Sequence, residues 1–407
     1  MFLPGAGFAE PAFEIPDRRK PQFESEPGFA LLPFPYSLPG IGSGISLASG
    51  FTNIKDTYVD AYGLLLAGDI QGAALGIDDI HLLPKRLILE LGASSIDKAS
   101  ITSYNQRGMR SEKDDFSLIE LSNIASIGSR LTVTFFDRRF ELYGAYYKFW
   151  SQLNRIRDND GDIIIDVDDP SIESGEQRIL GMLIDLTDDY HDPRAGFRFD
   201  ISGWYNAKTK DGPEYLLLDL SATTYFPMGK RSTWLFNVFK SDATLFSKGE
   251  TDRAIVADQM GLDCSTVTDP KAQAQCNKHI DTVVDGNKYG TASSLGGFSR
   301  LRSYSQGRYG GAHTLFFGTE LRWNLTDEFT PFNIYVIKDV RTAIQIAFFY
   351  EIGSVSEKES EIGDVTRSTY GTGVRIVTAS GAVFRGDFAF GEEGFQPNVF
   401  IGYPWEF

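Results

Sequence analysis

The sequence predicts an all-β fold, a transmembrane antiparallel β-barrel of about sixteen strands. Short segments of alternating apolar and polar residues recur along the chain, separated by clusters of glycine, aspartate, asparagine and serine, which is the pattern of antiparallel strands. Aromatic residues reach 13% and gather near the ends of several segments, as in the interfacial girdles of membrane barrels. Long polar connections also alternate with tight turns.

The composition argues against several other classes of protein. The 407 residues carry a formal net charge of −16, which argues against an extended surface for nucleic-acid phosphates. Two cysteines are too few for a disulfide scaffold or a cysteine-rich metal domain. A membrane-spanning helix needs about 20 mainly apolar residues, but prolines and glycines interrupt the long uncharged stretch at 27–54, and the mean hydropathy is −0.20.

The chain divides into a tail and a barrel. Residues 1–42 contain eight of the 17 prolines and little periodicity, so they predict an irregular, proline-rich N-terminal tail. The barrel is then expected over residues 43–407, with one long polar loop at 245–309. The sixteen predicted strands are 43–54, 56–68, 69–80, 86–98, 115–125, 128–138, 139–152, 177–188, 194–207, 214–226, 231–244, 310–324, 341–354, 366–379, 381–391 and 396–407.

Two folds compete for this alternating pattern. In the segment 312–323, Leu315 and Trp323 fall on one face of the strand while Glu320 and Arg322 fall on the other. A soluble sandwich buries the apolar face inside the protein, whereas a membrane barrel turns it toward lipid and keeps the polar face in the lumen. Aromatic residues stand close together at 149 and 150, at 225 and 226, and at 405 and 407. These pairs, together with loops too long for a compact soluble domain, favour the barrel.

One long segment resembles a known family. The run GGFSRLRSYSQGRYGGAHTLFFGTELRW, residues 296–323, resembles the hallmark loop of the bacterial BamA/TamA-type surface-antigen superfamily of outer-membrane barrels. That loop usually reads apolar-arginine-glycine-aromatic, and here it reads Leu301, Arg302, Ser303 and Tyr304. Serine at 303 departs from the usual glycine.

Other motifs of the family follow in the same order. Residues 192–197 resemble its entry to a middle strand, 349–353 resemble a wall strand with Glu351 where aspartate is usual, and 371–375 resemble its G-x-G-x-R strand. Ser380 and Gly381 follow as in its next turn, without the usual proline. The matching wall residues are Gly353, Gly371, Gly373 and Arg375.

The resemblance implies a role for Arg302. In this family the loop folds back into the barrel lumen, where the guanidinium meets an acidic residue of the wall. Glu351 is expected to face the same lumen because of its place in the alternating strand, so we expect it to form the ion pair with Arg302. Such a pair fits either a latch that sets the position of the loop or a permanent brace that holds a plug in place.

The end of the chain resembles the signal read by the machinery that assembles outer-membrane barrels. Gly402 stands five positions before the terminal aromatic Phe407, with Pro404 and Trp405 between them. An ordinary last strand with aromatic residues is the alternative. The family is also thought to open sideways between its first and last strands, and Pro404 would weaken that seam by removing a hydrogen-bond donor, unless it occupies an unpaired strand end.

The loop 245–309 contains both cysteines. Cys264 and Cys276 lie twelve residues apart and could form one disulfide in an oxidising location; two free thiols are the alternative, and metal binding by two cysteines alone has less support. The acidic run 158–162 has the oxygen-rich spacing of a calcium loop but lacks the glutamate at position twelve, which favours a solvated loop. No metal site is therefore predicted.

The sequence predicts a role other than catalysis. The four histidines are scattered, and the chain contains neither a nucleophile elbow nor a phosphate-binding loop. No enzyme activity, cofactor or nucleic-acid partner is expected.

Two functions remain open. The first is a barrel in the bacterial outer membrane that aids insertion or translocation of a protein or lipid, or outer-membrane homeostasis, through a weak seam between its first and last strands. The second is a structural or passive-pore barrel whose lumen is plugged by its own loop. Expected partners are outer-membrane lipids including lipopolysaccharide, the barrel assembly machinery for the chain's own insertion, and further periplasmic or barrel proteins. The family's assembly members carry POTRA modules before the barrel, and none fits into 42 residues.

Overall fold

The structure is a computed structural model. It describes residue 22 and residues 27–326, 332–334, 337–340, 342–378 and 383–405.

Sixteen strands form one closed antiparallel barrel, which confirms the predicted fold class. Each strand pairs with the next around the ring, and β1 closes it against β19. The barrel strands are β1 (Gly28–Leu38), β2 (Gly42–Thr52), β3 (Asp60–Gly68), β4 (Gln71–Leu83), β5 (Leu87–Tyr104), β6 (Phe116–Phe135), β7 (Phe140–Arg157), β9 (Ile172–Asp185), β10 (Gly196–Asn206), β11 (Glu214–Met228), β12 (Ser232–Ser247), β13 (His313–Asn324), β16 (Thr342–Ser356), β17 (Arg367–Thr378), β18 (Val383–Gly391) and β19 (Gly394–Ile401).

The remaining elements lie in the connections between barrel strands. A short strand, β8 (Ile163–Asp166), pairs with the end of β7, and β14 (Phe332–Ile334) pairs with β15 (Ile337–Val340). Two helices, α1 (Arg253–Gln259) and α2 (Pro270–Tyr289), occupy the loop between β12 and β13. Neither helix was predicted, because α2 carries few apolar side chains and its sequence resembles a polar loop. None of the helices in the described part of the chain is long and apolar enough to cross a membrane.

Strand β13 shows how the alternating sequence produces the wall. Leu315 and Trp323 are exposed on the outside of the barrel, whereas Glu320 and Arg322 are buried inside it. Successive side chains of a strand point to opposite faces, so one sequence supplies both an apolar outer surface and a polar lumen. Phe316 breaks the pattern because its inward ring packs against Trp405.

The first strand contradicts the predicted tail. β1 lies entirely within the segment 1–42, and the predicted first strand, 43–54, is the second strand of the barrel. Pro33 and Pro35 led to the tail prediction, yet β1 pairs with β2 through both prolines without a change of register. A proline has no N–H to donate. A strand can therefore contain a proline where the nitrogen of that residue faces away from the partner strand.

The predicted strands 115–125 and 128–138 are one strand, β6. The strand has an irregularity where the register shifts between Ser122 and Ala125 and where Asn123 has φ 49°, and it then continues through the predicted break at 126–127 without a change of register. The total of sixteen was therefore reached by two opposite errors, one missed strand and one strand divided in two.

The last strand is shorter than predicted. The sequence predicts a strand over 396–407, but β19 ends at Ile401, and Gly402 adopts φ +102°. A left-handed backbone of this kind favours glycine and redirects the chain. Residues 403–405 then turn into the barrel, where all three are buried.

The longest loop, 248–312, and three tight turns lie at opposite ends of the barrel, and the two-residue turns 69–70 and 392–393 lie at the end of the long loop. The turns 84–86, 136–139 and 229–231 share one end, while the loops 105–115 and 248–312 share the other. Outer-membrane barrels place short turns in the periplasm and long loops outside. Both the start of β1 and the end of β19 lie at the turn end.

The register predicts one crosslink across the seam between β1 and β19. Ser37 and Val399 are direct partners, so cysteines at both positions should form a bond on mild oxidation. The bond should be detected by mass spectrometry of the purified barrel. The pair Leu31→Cys and Val399→Cys, six residues out of register, should not crosslink, and crosslinking of both pairs alike would contradict this closure of the ring.

Candidate functional site

The long loop between β12 and β13 enters the lumen as a narrow hairpin, which we call the inner loop (residues 291–312). Leu295 and Tyr309 exchange backbone hydrogen bonds of 2.9 and 3.0 Å across it. At its tip the Tyr304 N–H donates to the Leu301 carbonyl at 3.0 Å, and Leu301 adopts φ +52°. This turn presents Arg302 to the wall of the barrel.

Arg302 contacts three carboxylates from three strands. Its Nε lies 2.9 Å from Glu351 Oε1, its Nη1 lies 2.8 Å from Asp387 Oδ2, and its Nη2 lies 3.1 Å from Glu320 Oε2. Its backbone N–H also donates to Glu351 Oε2 at 2.9 Å. All four side chains are fully buried. The structure thus brings together Arg302 and Glu351 and adds two further acidic partners.

Three more arginines complete the group, which we call the lumenal ion cluster. Arg375 contacts Glu320 at 3.0 Å and also pairs with Asp387. Arg322 donates to Glu320 at 2.9 Å, and Arg385 Nη2 donates to the Phe298 carbonyl at 2.6 Å. The cluster consists of Arg302, Glu320, Arg322, Glu351, Arg375, Arg385 and Asp387.

Aromatic rings and small residues form the walls around this cluster. The Arg302 guanidinium carbon lies 3.5 Å from the centre of the Phe349 ring, which adds a cation–π contact. Glycines make room for the inner loop: a Cβ at Gly353 would lie 2.5 Å from Leu295, and one at Gly373 would collide with the Asp387 carboxylate.

The other loop residues dock beside Arg302. The Ser303 hydroxyl lies 2.6 Å from the Thr369 hydroxyl, and the Tyr304 hydroxyl donates to the Ser368 carbonyl at 3.3 Å. A Cβ at Gly371 would lie 2.5 Å from the Phe349 ring, so the position of this ring depends on a residue without a side chain at 371. Serine at 303 therefore makes a polar contact that glycine would not.

The C-terminal segment reaches the same cluster from the opposite side. The Trp405 indole N–H donates to Glu351 Oε1 at 3.0 Å, the same oxygen that Arg302 contacts. The Tyr403 hydroxyl lies 2.6 Å from Asp192 Oδ1. Glu351 is thus shared by the inner loop and by the end of the chain, and it couples their positions.

This placement corrects two predictions about the end of the chain. Gly402, Pro404 and Trp405 do not continue the last strand, and Tyr403 and Trp405 face the lumen rather than lipid. An alternating aromatic pattern fits a lipid-facing strand and an inward segment equally well, so the sequence did not separate them. Phe407 lies outside the described residues. Pro404 lies in a turn and is therefore not a residue of the seam strand.

The seam between β1 and β19 is joined at one described backbone position. Only Ser37 and Val399 are paired across it, assisted by a 3.1 Å hydrogen bond from the Ser37 hydroxyl to the Pro397 carbonyl. The carbonyl of Pro397 therefore faces the seam, and its nitrogen faces the same way, because the N–H and C=O of one residue in an antiparallel strand share a side.

The offset of the two strands and the prolines on their edges explain this sparse pairing, because the register of Ser37 with Val399 leaves only residues 35–38 of β1 opposite residues 398–401 of β19. Pro33 and Pro35 stand in β1 without disturbing its pairing with β2, so their nitrogens face the seam. Each proline removes one ladder donor. Gly44 and Gly50, which lie in the predicted first strand 43–54, belong instead to β2.

A disulfide links the connection between the two helices to α2. The sulfurs of Cys264 and Cys276 are bonded, so the structure brings these two residues together. Lys278 contacts Asp115 at 2.6 Å, and Lys271 pairs with Asp160, which ties α2 to two neighbouring loops. We call α1, α2 and their connection the helical cap.

A cavity of about 530 Å³ remains in the lumen beside the inner loop. Phe149 and Trp204 line it from the barrel wall, and Arg300 lines it from the loop. Phe149 therefore faces inward rather than joining a lipid-facing girdle. Arg300 stacks on Phe239, with its guanidinium carbon 3.6 Å from the centre of the ring.

Several cluster residues were absent from the predicted site. Glu320 and Arg322 were assigned to the polar face of their strand, but their distance from Arg302 depends on how the ring closes. Asp387 and Arg385 alternate with outward residues on β18, and this alternation is the signal that could have identified them as lumenal.

Removing the central cation should destabilise the barrel strongly. Arg302→Met leaves buried carboxylates with a missing partner, an effect of about 3–5 kcal/mol, and should lower the temperature at which the barrel unfolds in detergent. Arg253→Met removes an exposed ion pair with Asp281 in the helical cap and should change stability by at most about 1 kcal/mol. Equal effects of both substitutions would contradict the central role of Arg302.

Filling the space under Trp405 should displace the C-terminal segment. A Cβ at Gly318 would lie 2.5 Å from the Trp405 ring, whereas a Cβ at Gly386 would meet no atom within 4 Å. Gly318→Leu should therefore make residues 403–405 accessible to a thiol reagent at Tyr403→Cys, and Gly386→Leu should not. Unchanged labelling in the Gly318 variant would show that the indole does not depend on this contact.

The chain resembles solved structures in its fold, whereas comparisons of its sequence found no match. No protein-family profile and no curated protein matches the chain. CdiB from Escherichia coli matches with a TM-score of 0.50 at 11% identity, over 92% of this chain and 61% of that one. BamA from Haemophilus ducreyi lacking POTRA domains 1–3 has a TM-score of 0.46 at 11% identity, over 94% and 75% of the two chains.

A third similar structure is CdiB from Acinetobacter baumannii, with a TM-score of 0.45 at 11% identity over 92% and 65% of the two chains. The chain thus spans less than two thirds of the length of both CdiB structures. Sequence identity at this level carries information on fold alone. With its closed ring of sixteen antiparallel strands among the described residues, the chain shares its fold with CdiB from Escherichia coli.

Proposed function

We propose that this barrel is an insertion or translocation factor of the outer membrane and that the seam between β1 and β19 is its working element. The observation that carries the proposal is the single paired position, Ser37 with Val399, in a ring whose other strands pair along most of their length. An ordinary backbone hydrogen bond contributes about 0.5–1.5 kcal/mol. A seam that lacks most of these bonds opens more easily than any other edge of the ring.

The lumenal ion cluster keeps the rest of the barrel fixed while the seam opens. Arg302 joins β13, β16 and β18 through Glu320, Glu351 and Asp387. These strands lie on the C-terminal side of the seam. We therefore assign the cluster a positioning role, in which Arg302 holds one wall and the inner loop rigid. If Arg302 also acts as a latch, substitutions of Arg302 should change how readily the seam opens.

The proposal assigns partners by the surfaces that they would contact. The exposed apolar outer side chains would contact outer-membrane lipids, including lipopolysaccharide in the outer leaflet. The barrel assembly machinery would insert the chain itself, and further periplasmic or barrel proteins would be clients. The proposal involves no catalysis, because the buried charges of the cluster are engaged in pairs with one another.

A structural or passive-pore barrel is the second candidate. The observation that favours it is the inner loop, which fills part of the lumen and leaves a cavity of about 530 Å³. In this case the ion cluster is a permanent brace, and the sparse seam has no function.

Locking the seam separates the two candidates. The variant with Ser37→Cys and Val399→Cys, after oxidation, should lose its ability to accelerate folding of an unfolded outer-membrane protein into liposomes. Ser37→Cys alone, treated identically, is the matched control and should keep this ability.

Planar-bilayer conductance supplies the opposing outcome. The seam-opening barrel should give low, flickering conductance that the crosslink suppresses. Large and steady conductance that persists after crosslinking, with no acceleration of folding by the wild-type chain, would reject the insertion factor and favour the pore.

A further inference from the structure

The inner face of the barrel beside the seam is apolar, in contrast to the polar lumen expected of such barrels. Directly paired residues share a face of the sheet, and pairing connects Leu32, Ala48 and Leu64 in one row across β1, β2 and β3. The same row continues through Ala74, Ser94 and Ser126 to Phe149, which lines the lumenal cavity. The row therefore faces the lumen.

A second apolar row lies next to the first. Pairing connects Phe34, Ser46 and Leu66, which alternate with outward residues in the same strands. We call Leu32, Phe34, Ala48, Leu64 and Leu66 the inner wall. None of these five side chains is fully buried, and a Cβ added at Gly50 on the same face would meet no heavy atom within 4 Å. Open space therefore lies in front of the inner wall.

The inner wall connects with the outer surface through the seam. β19 ends at Ile401, directly below the single paired position, and β1 continues past it toward Gly28. At this level the ring of Phe34, on the inner face of β1, lies 5.5 Å from the ring of Phe384. Phe384 is on the outer face of β18, between the inward residues Val383 and Arg385. An inner and an outer side chain thus meet through the gap between β1 and β18.

The chemistry of the two edges favours a lipid over a polypeptide strand. A strand added to an open edge is held by main-chain hydrogen bonds, and each proline removes one donor from such an edge and so weakens the addition. Pro33 and Pro35 remove donors from the β1 edge, and Pro397 removes one from the β19 edge. An acyl chain needs no hydrogen bonds, and the apolar side chains on both sides of the gap form a continuous surface for it.

We propose that the seam admits the acyl chains of membrane lipids to the inner wall, so that a membrane lipid is the substrate of this barrel. This inference rests on the proposed function, because it requires the seam to open. It adds the class of substrate and the surface that receives it. Lipid moves between the bilayer and the lumen through the gap that Phe34 and Phe384 occupy.

The test uses the full chain in liposomes that contain a phospholipid with a fluorescent head group. A membrane-impermeant reductant, dithionite, bleaches only head groups in the outer leaflet, so transfer of lipid from the inner leaflet appears as additional bleaching. The wild-type barrel should accelerate this additional bleaching over protein-free liposomes. Leakage of a trapped soluble dye, measured in parallel, must stay unchanged to exclude entry of dithionite through the lumen.

Matched variants locate the path. Leu64→Asp places a charge on the inner wall and should reduce transfer to the rate of protein-free liposomes, and Leu66→Ser should reduce it partly. Ser126→Asp places the same charge in the same row but on β6, away from the seam, and should leave transfer unchanged. Folding of each variant is checked by its mobility on an unheated gel, and Leu66→Ser supplies the test if Leu64→Asp does not fold.

Crosslinking completes the design. The Ser37→Cys and Val399→Cys variant, joined by a short bis-alkylating reagent whose thioether bonds dithionite does not cleave, should lose lipid transfer, and the same variant with both thiols capped separately by a mono-alkylating reagent should keep it. Transfer that persists in the crosslinked barrel, or that is equally sensitive to Leu64→Asp and Ser126→Asp, would overturn the lipid path. Absence of transfer by wild-type barrel that still accelerates protein folding would overturn the lipid substrate and leave the proposed function standing.

Discussion

The burial of one positive charge organises this barrel. Arg302 has no exposed side-chain surface, and an isolated buried cation is expensive unless charged and hydrogen-bonding partners surround it. Carboxylates from β13, β16 and β18 meet that requirement together, so the guanidinium fixes the relative positions of three strands. The inner loop that bears it and the C-terminal segment that contacts Glu351 are positioned by the same constraint. The lumen on this side is consequently packed and rigid.

On the other side of the seam, the strands β1, β2 and β3 carry no comparable group of buried ion pairs in the described residues. There the inner wall of β1, β2 and β3 carries leucines and small residues, open space lies in front of it, and the adjoining edge lacks hydrogen-bond donors. The strands on this side pair along most of their length, and only the seam itself is sparsely paired. The proposed function therefore places the opening at the boundary between the charged side and the apolar side.

Local periodicity made most of the strands predictable, because alternation is imposed by the backbone of each strand separately. The family resemblance, joined to this alternation, also supplied the pair of Arg302 with Glu351. The remaining partners, Glu320 and Asp387, lie 67 residues apart in sequence, and their convergence depends on closure of the whole ring. β1 was missed because Pro33 and Pro35 resemble a loop unless one knows that their nitrogens face an unpaired edge. The inward course of residues 403–405 was missed because aromatic side chains suit both lipid and a packed lumen.

The helical cap and the inner loop belong to one continuous stretch of chain between β12 and β13. Residues 290–301 connect the end of α2 to Arg302, and the Cys264–Cys276 disulfide fixes the connection between the helices to α2. A ligand that bound the helical cap and displaced it would change the position of Arg302 through this connecting segment. The helical cap and the lumenal ion cluster are therefore joined by residues 290–301, so a displacement of the cap is transmitted along the backbone to the interior of the barrel.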